Sequence, residues 1–117
     1  MIEPMDRCLI VEDNFLIRQD LADMLQSLGF RNVDEAAGIP QATEHIAATR
    51  YRVVFVNIIH ADKNSQAFAE ELKRQKVPFV VTATNLATSD FPPSMMDVPV
   101  ISKPYSLEVI RTLLPCL

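Results

Sequence analysis

Short, wholly apolar runs recur along this chain, each ending on polar residues and most followed by a stretch with helical spacing. Val53-Val54-Phe55-Val56 is the strongest of them, β-branched and aromatic throughout, and it stops at Asn57. Cys8-Leu9-Ile10-Val11 stops in the same way at Glu12-Asp13-Asn14. A run of this length with no polar alternation is a strand buried on both faces. Strands of that kind need helices above and below them. Strand–helix alternation therefore predicts an α/β domain of parallel strands joined by right-handed helical crossovers.

The intervening segments supply those helices. From Asn14 the apolar residues Ile17, Leu21, Met24, Leu25 and Leu28 recur at helical spacing, and Gly29 is a natural stop. The Asn14 side-chain oxygen is suited to cap the first-turn N–H groups. Asn32 to Ala37 is a weak strand ending at Gly38. Pro40 to Thr49 is a helix with Ala42, Ile46 and Ala47 inward and Pro40 in its first turn. Ser65 to Gln75 is a third helix, with Phe68 and Leu72 on one face. Pro78 to Thr82 is a fourth strand and Val98 to Ser102 a fifth. Ser106 caps a last helix with Leu107, Ile110, Leu113 and Leu114 inward. The segment Asn85 to Asp97 breaks the pattern, because Pro92-Pro93 removes two donors and favours extended backbone. It is expected to be a loop with at most a turn or two of helix.

Size and composition narrow the function. A chain of 117 residues has room for one domain, and residues 1–117 show no linker, repeat or low-complexity tail. A net charge of -4 argues against a nucleic-acid binder, which needs a basic face to displace counterions. With two glycines, Gly29 and Gly38, no glycine-rich phosphate cradle can be built. Cys8 and Cys116 lie at opposite ends of the chain, and Cys8 falls in an apolar run, which favours free thiols and a cytoplasmic protein. No apolar run approaches a membrane span, and no signal-peptide pattern precedes a cleavage site.

In an open parallel sheet the functional crevice lies outside the carboxyl ends of the strands. Glu12 and Asp13 stand there after strand one, Asn57 after strand three, Thr82 to Thr84 after strand four, and Lys103-Pro104 after strand five. Two carboxylates, an amide, hydroxyls and a lysine would converge. The pieces Leu9-Ile10-Val11-Glu12-Asp13-Asn14, Val53-Val54-Phe55-Val56-Asn57, Val77-Pro78-Phe79-Val80-Val81-Thr82-Ala83 and Val100-Ile101-Ser102-Lys103-Pro104-Tyr105 resemble a response regulator receiver domain of two-component systems. The resemblance spans essentially the whole chain. It implies a flavodoxin-like (CheY-like), doubly wound, five-stranded parallel sheet of order 2-1-3-4-5, here with a weak or missing fourth helix. In that family the acidic pair after strand one holds Mg²⁺, and an Asp ending strand three accepts a phosphoryl group from a phosphohistidine. A Thr or Ser ending strand four and the Lys of a Lys-Pro pair contact the phosphoryl oxygens. By position Glu12 and Asp13 match the acidic pair and Lys103 the lysine, and the peptide before Pro104 would be cis.

The departures from the family pattern carry as much information. Asn57 occupies the phosphoacceptor position, and an amide is not the nucleophile that a carboxylate is. The site also loses one negative charge, leaving Glu12 and Asp13 as a weak Mg²⁺ site at most. Counting from Pro78 puts Ala83 at the Thr/Ser position, whereas a strand shorter by one residue puts Thr82 there. Val100 replaces the aromatic residue that usually rotates on activation. Ala61, with His60 beside it, replaces the proline of the acceptor loop. His60 reads as an exposed loop histidine before a phosphoryl carrier or metal ligand, His45 as an outer-face helix residue, and Met95-Met96 as cover for the sheet edge before an adaptable contact surface.

The expectation is a stand-alone atypical receiver, a pseudo-receiver that acts by protein–protein contact without Asp phosphorylation and is not an enzyme. Its partner would be a histidine kinase, a phosphotransfer protein, another receiver, or a second copy in a homodimer. One rival is a conventional Mg²⁺-dependent receiver with Asn57 an engineered or bypassed position. Another is a small flavodoxin-like ligand-binding protein or enzyme. Against the last stand the absence of Trp, the scarcity of aromatics and the lack of a Ser-His-Asp or Cys-His set.

Overall fold

The computed structural model describes residues 7–57, 63–83, 100–102 and 107–113. Five strands appear in it: β1 (Arg7–Val11), β2 (Asn32–Ala36), β3 (Val53–Asn57), β4 (Phe79–Ala83) and β5 (Val100–Ser102). The described helices are α1 (Phe15–Ser27), α2 (Ile39–Ala48), α3 (Lys63–Arg74) and α4 (Leu107–Leu113). The strands form one parallel sheet of order β2-β1-β3-β4-β5. The expected doubly wound sheet is therefore present. The segment Asn85 to Asp97, where the weak or missing helix was expected, lies outside the described residues.

Side-chain alternation along the strands divides the core into two layers. Leu9, Val11, Val54, Val56 and Val81 pack with Ala42 and Ile46 of α2 and Phe68, Ala69 and Leu72 of α3. Cys8, Ile10, Val53, Phe55 and Val80 pack with Leu21, Ala22 and Leu25 of α1 and Ile110 of α4. Each of the larger side chains contributes roughly 1.5–3 kcal/mol by leaving water. Cys8, free and fully buried, is one of these core residues.

Local chemistry sets the element ends. Asn14 caps α1 as expected, its side chain accepting from Ile17 N–H at 3.1 Å. Gly29 stops the helix with φ at 109°, and Phe30 N–H reaches back to the Leu25 carbonyl. After α3, Lys76 adopts φ 59° while Val77 N–H bonds the Leu72 carbonyl, the same motif without a glycine.

Several boundaries differ from those expected. β4 starts at Phe79 and runs to Ala83, because Pro78 has no N–H for the ladder, although its carbonyl accepts from Val54 N–H. α3 starts at Lys63 rather than Ser65. Ala47 is exposed, not inward, since it lies about 100° around the helix from the buried Ile46.

The weakness of β2 as a sequence signal has a structural reason. It is an edge strand whose two acidic residues find specific partners. Tyr51, itself buried, donates its hydroxyl to Asp34 Oδ2 at 2.6 Å, and Arg7 stands 3.5 Å from the same oxygen. His45 Nδ1 lies 3.3 Å from the Tyr51 hydroxyl, so this half-buried histidine belongs to a polar cluster and not to the outer face expected of it.

Candidate functional site

The parallel register brings the ends of β1, β3 and β4 together. Val11 pairs with Val56, so Glu12 continues beside Asn57, and Asn57 pairs with Thr82. Neighbours in a parallel ladder point to the same face. Glu12, Asn57 and Thr82 thus share the face packed by α1 and α4, two residues beyond the core residues Ile10, Phe55 and Val80. Glu12 and Thr82 are 3 % and 2 % exposed, two of only three buried polar or charged residues among those described.

Glu12 is fastened at main chain and side chain alike. Its N–H donates to the Ala36 carbonyl at 3.0 Å, extending the ladder with β2. Its Oε2 accepts from Asn14 N–H at 3.1 Å and from Asn57 Nδ2 at 3.3 Å. Chemistry dictates this orientation of the Asn57 amide, since a carboxylate only accepts and the Nδ2 group only donates. Asn57 Oδ1 is left buried without a hydrogen-bond partner. Asp13 is exposed, next to the cap residue Asn14.

The register bears on the two candidates for the strand-four Thr/Ser position. Thr82, not Ala83, is the residue paired with Asn57 and placed on its face. Lys103, Pro104, His60 and Ala61 lie outside the described residues, as do Cys116 and Met95-Met96 and the side chains of Ala83 and Val100.

The donor set fits a tightly held Mg²⁺ poorly. Glu12 Oε2 already receives two N–H groups, and the amide at Asn57 directs a donor, not an anionic oxygen, into the pocket. Among the described residues no three His, Cys, Asp or Glu side chains gather into a metal-binding group. The site is a buried carboxylate already hydrogen-bonded by two N–H donors.

Arg18 is the residue that sequence reasoning missed. From α1 its Nη1 donates to the Glu12 carbonyl at 2.7 Å and its Nε to Glu35 Oε1 at 3.0 Å. No periodicity marks it, because its partners are Glu12, just past β1, and Glu35 on the edge strand β2.

No family model matches the chain. Over 104 residues it is 28 % identical to the transcriptional regulatory protein PdtaR of Mycobacterium tuberculosis, covering 86 % of this chain and 51 % of that protein. The chain thus spans about half the length of the curated relatives it matches. Among solved structures, a response regulator receiver domain (CheY-like) from Methylobacillus flagellatus superposes with a TM-score of 0.79 at 19 % identity, over 96 % of this chain and 98 % of that one. SdrG from Sphingomonas melonis Fr1 gives 0.78 at 23 % identity, over 97 % of both chains. A sensor protein from Polaromonas sp. JS666 gives 0.79 at 25 % identity, over 94 % and 93 %. Sheet order and superpositions define the class: a flavodoxin-like α/β domain with a doubly wound parallel sheet. Within that class the fold is that of the CheY-like response regulator receivers, and the resemblance carried by the strand-end residues extends over nearly the whole chain.

Proposed function

We propose that this chain is an atypical receiver domain of a two-component or phosphorelay system that signals by protein contact, without phosphorylation of an aspartate. One observation carries the reading. The residue ending the central strand β3 is Asn57, and its amide donates to the buried Glu12 carboxylate. An amide cannot form the acyl phosphate that a receiver's aspartate forms, because its nitrogen lone pair is delocalised and its oxygen is a poor nucleophile. The reading includes no enzymatic activity, no required cofactor, and a weak Mg²⁺ site at Glu12 and Asp13 at most.

Protein contact is favoured by the surface beside the pocket. Phe15 and Leu16, in the first turn of α1, are 60 % and 77 % exposed. Such side chains at the rim of the candidate site suit a partner of the same signalling system: a histidine kinase, a phosphotransfer protein, another receiver or a second copy. No described helix is long and apolar enough to cross a membrane, and the reading includes a cytoplasmic location for a chain whose Cys8 is a free, buried thiol.

The test is mass spectrometry of the purified chain after incubation with a small-molecule phosphoryl donor and Mg²⁺. The expected spectrum has no phosphoryl adduct on any pocket residue. A stable adduct mapped to Asp13 or a neighbouring residue would overturn the reading in favour of a receiver with a bypassed acceptor.

A further inference from the structure

One guanidinium joins Arg18 to the end of β1, to the edge strand β2 and to the first turn of its own helix. Nη1 takes the Glu12 carbonyl at 2.7 Å, Nε takes Glu35 Oε1 on the edge strand β2 at 3.0 Å, and the guanidinium carbon lies 5.5 Å from the centroid of the Phe15 ring. Its side chain is only 16 % exposed. The Glu12 carbonyl belongs to the residue whose carboxylate meets Asn57, so the grip acts at the junction between β1 and the site. A planar guanidinium satisfies two acceptors at fixed angles, which a lysine ammonium on a flexible stem does not.

We infer that Arg18 is a positioning residue: it sets the direction in which the Glu12 carboxylate meets Asn57 and links that contact to the exposed Phe15 ring. The inference rests on the reading of Glu12 and Asn57 as the pocket of a phosphorylation-free receiver, and it deepens that reading. A receiver without an acyl phosphate needs another way to join its pocket to its contact surface. Here the connection is short and made of named groups. A partner that covers the Phe15 ring excludes water from its contact with the guanidinium, strengthening the cation–π interaction. Whatever moves the guanidinium moves the Glu12 carbonyl.

The experiment is nuclear magnetic resonance on the full chain, reading the two side-chain protons of Asn57 Nδ2. In the wild type one of them meets a carboxylate, so the pair is expected to be well separated in shift. Arg18→Ala should bring the two signals together, reporting loss of the Glu12 contact. Arg18→Lys should do so in part. Phe15→Ala should shift the same signals in the same direction, and the double variant should go no further than Arg18→Ala alone, because both act through one group. Arg111→Ala, which removes an exposed arginine paired to Glu108 on α4, is the control and should leave the Asn57 signals in place. Unchanged Asn57 signals in folded Arg18→Ala would overturn the inference. If that variant does not fold, Arg18→Lys and Phe15→Ala decide by the same criterion. A phosphoryl adduct would sink the functional reading and leave this result untouched, so the two failures are distinguishable.

Discussion

Asn57 donates its side-chain amide to Oε2 of Glu12 over 3.3 Å, joining the ends of the central strand β3 and its neighbour β1 through a side-chain hydrogen bond. The carboxylate end of that contact is buried, and a second donor, Asn14 N–H, meets the same oxygen at 3.1 Å. A charge buried to this degree needs donors around it, and the amide at Asn57 is one of them.

Asn57→Asp should therefore destabilise the domain when no metal is present. The substitution removes a charge-assisted donor and puts a second carboxylate beside Glu12, a combined cost of roughly 1–3 kcal/mol. Millimolar Mg²⁺ should offset this loss by binding the folded state alone. Thermal melts of both proteins with and without Mg²⁺ check the point. The variant should show the larger metal-induced rise in Tm, and an equal rise in the wild type would contradict this account of the pocket.

Stability should fall as pH rises above the ordinary thiol range. Burial, and secondarily the Asp34 carboxylate, push the Cys8 thiol from 9.0 up to about 12. Above pH 9 the unfolded chain releases this proton while the folded chain keeps it, so the native state progressively loses ground. The slope from one such group is about 1.4 kcal/mol per pH unit, and it ends where the folded thiol itself ionises. Tyr51, pushed up by its own burial and by the hydrogen bond to Asp34, extends the decline at still higher pH. Denaturant titrations between pH 8 and 11 should show the slope reduced by one proton in Cys8→Ala. An identical slope in both proteins would mean that Cys8 is not protected.

Tyr51→Phe should cost about 1–2 kcal/mol, even though the ring stays and the core volume hardly changes. The hydroxyl is the donor that meets Asp34 Oδ2 at 2.6 Å, and without it the carboxylate keeps Arg7 at 3.5 Å. Combining Tyr51→Phe with Asp34→Ala should cost less than the sum of the two single changes. Strict additivity would show that the pair is not coupled.

Lys76→Gly should stabilise the domain by about 0.5–1 kcal/mol. Lys76 sits at φ 59° in the turn after α3, a conformation that glycine adopts without steric cost. Urea unfolding should give a higher midpoint for the variant, and a lower one would show that the lysine side chain stabilises the turn by more than its backbone costs.

The fold was legible in the chain because its signals are local. Four residues of unbroken apolar sequence at Val53 to Val56 specify burial on both faces, and Asn14 and Gly29 mark a helix start and stop through chemistry within a few residues. Proline at position 78 shifted a strand boundary by one residue, which local reasoning does not resolve, since the ladder and not the run decides where pairing starts. The polarity of Asp34 and Glu35 made β2 look weak, and only their partners explain why a strand tolerates them there.

Strand ends also pointed to Glu12, Asp13 and Asn57, because an open parallel sheet gathers its crevice at carboxyl ends. Which strand-four residue stands beside Asn57 was a matter of register, and pairing with Thr82 is a property of two strands at once. Arg18, Tyr51 and His45 were invisible as site or cluster members for the same reason. Their partners are set by how α1, α2 and the edge strand pack onto the sheet. Periodicity and capping are written in the spacing of neighbours along the chain, so the sequence determined the elements and the acidic strand ends. The hydrogen bonds that aim Glu12 join residues as far apart as Glu12 and Asn57, and only the assembled sheet brings them within reach.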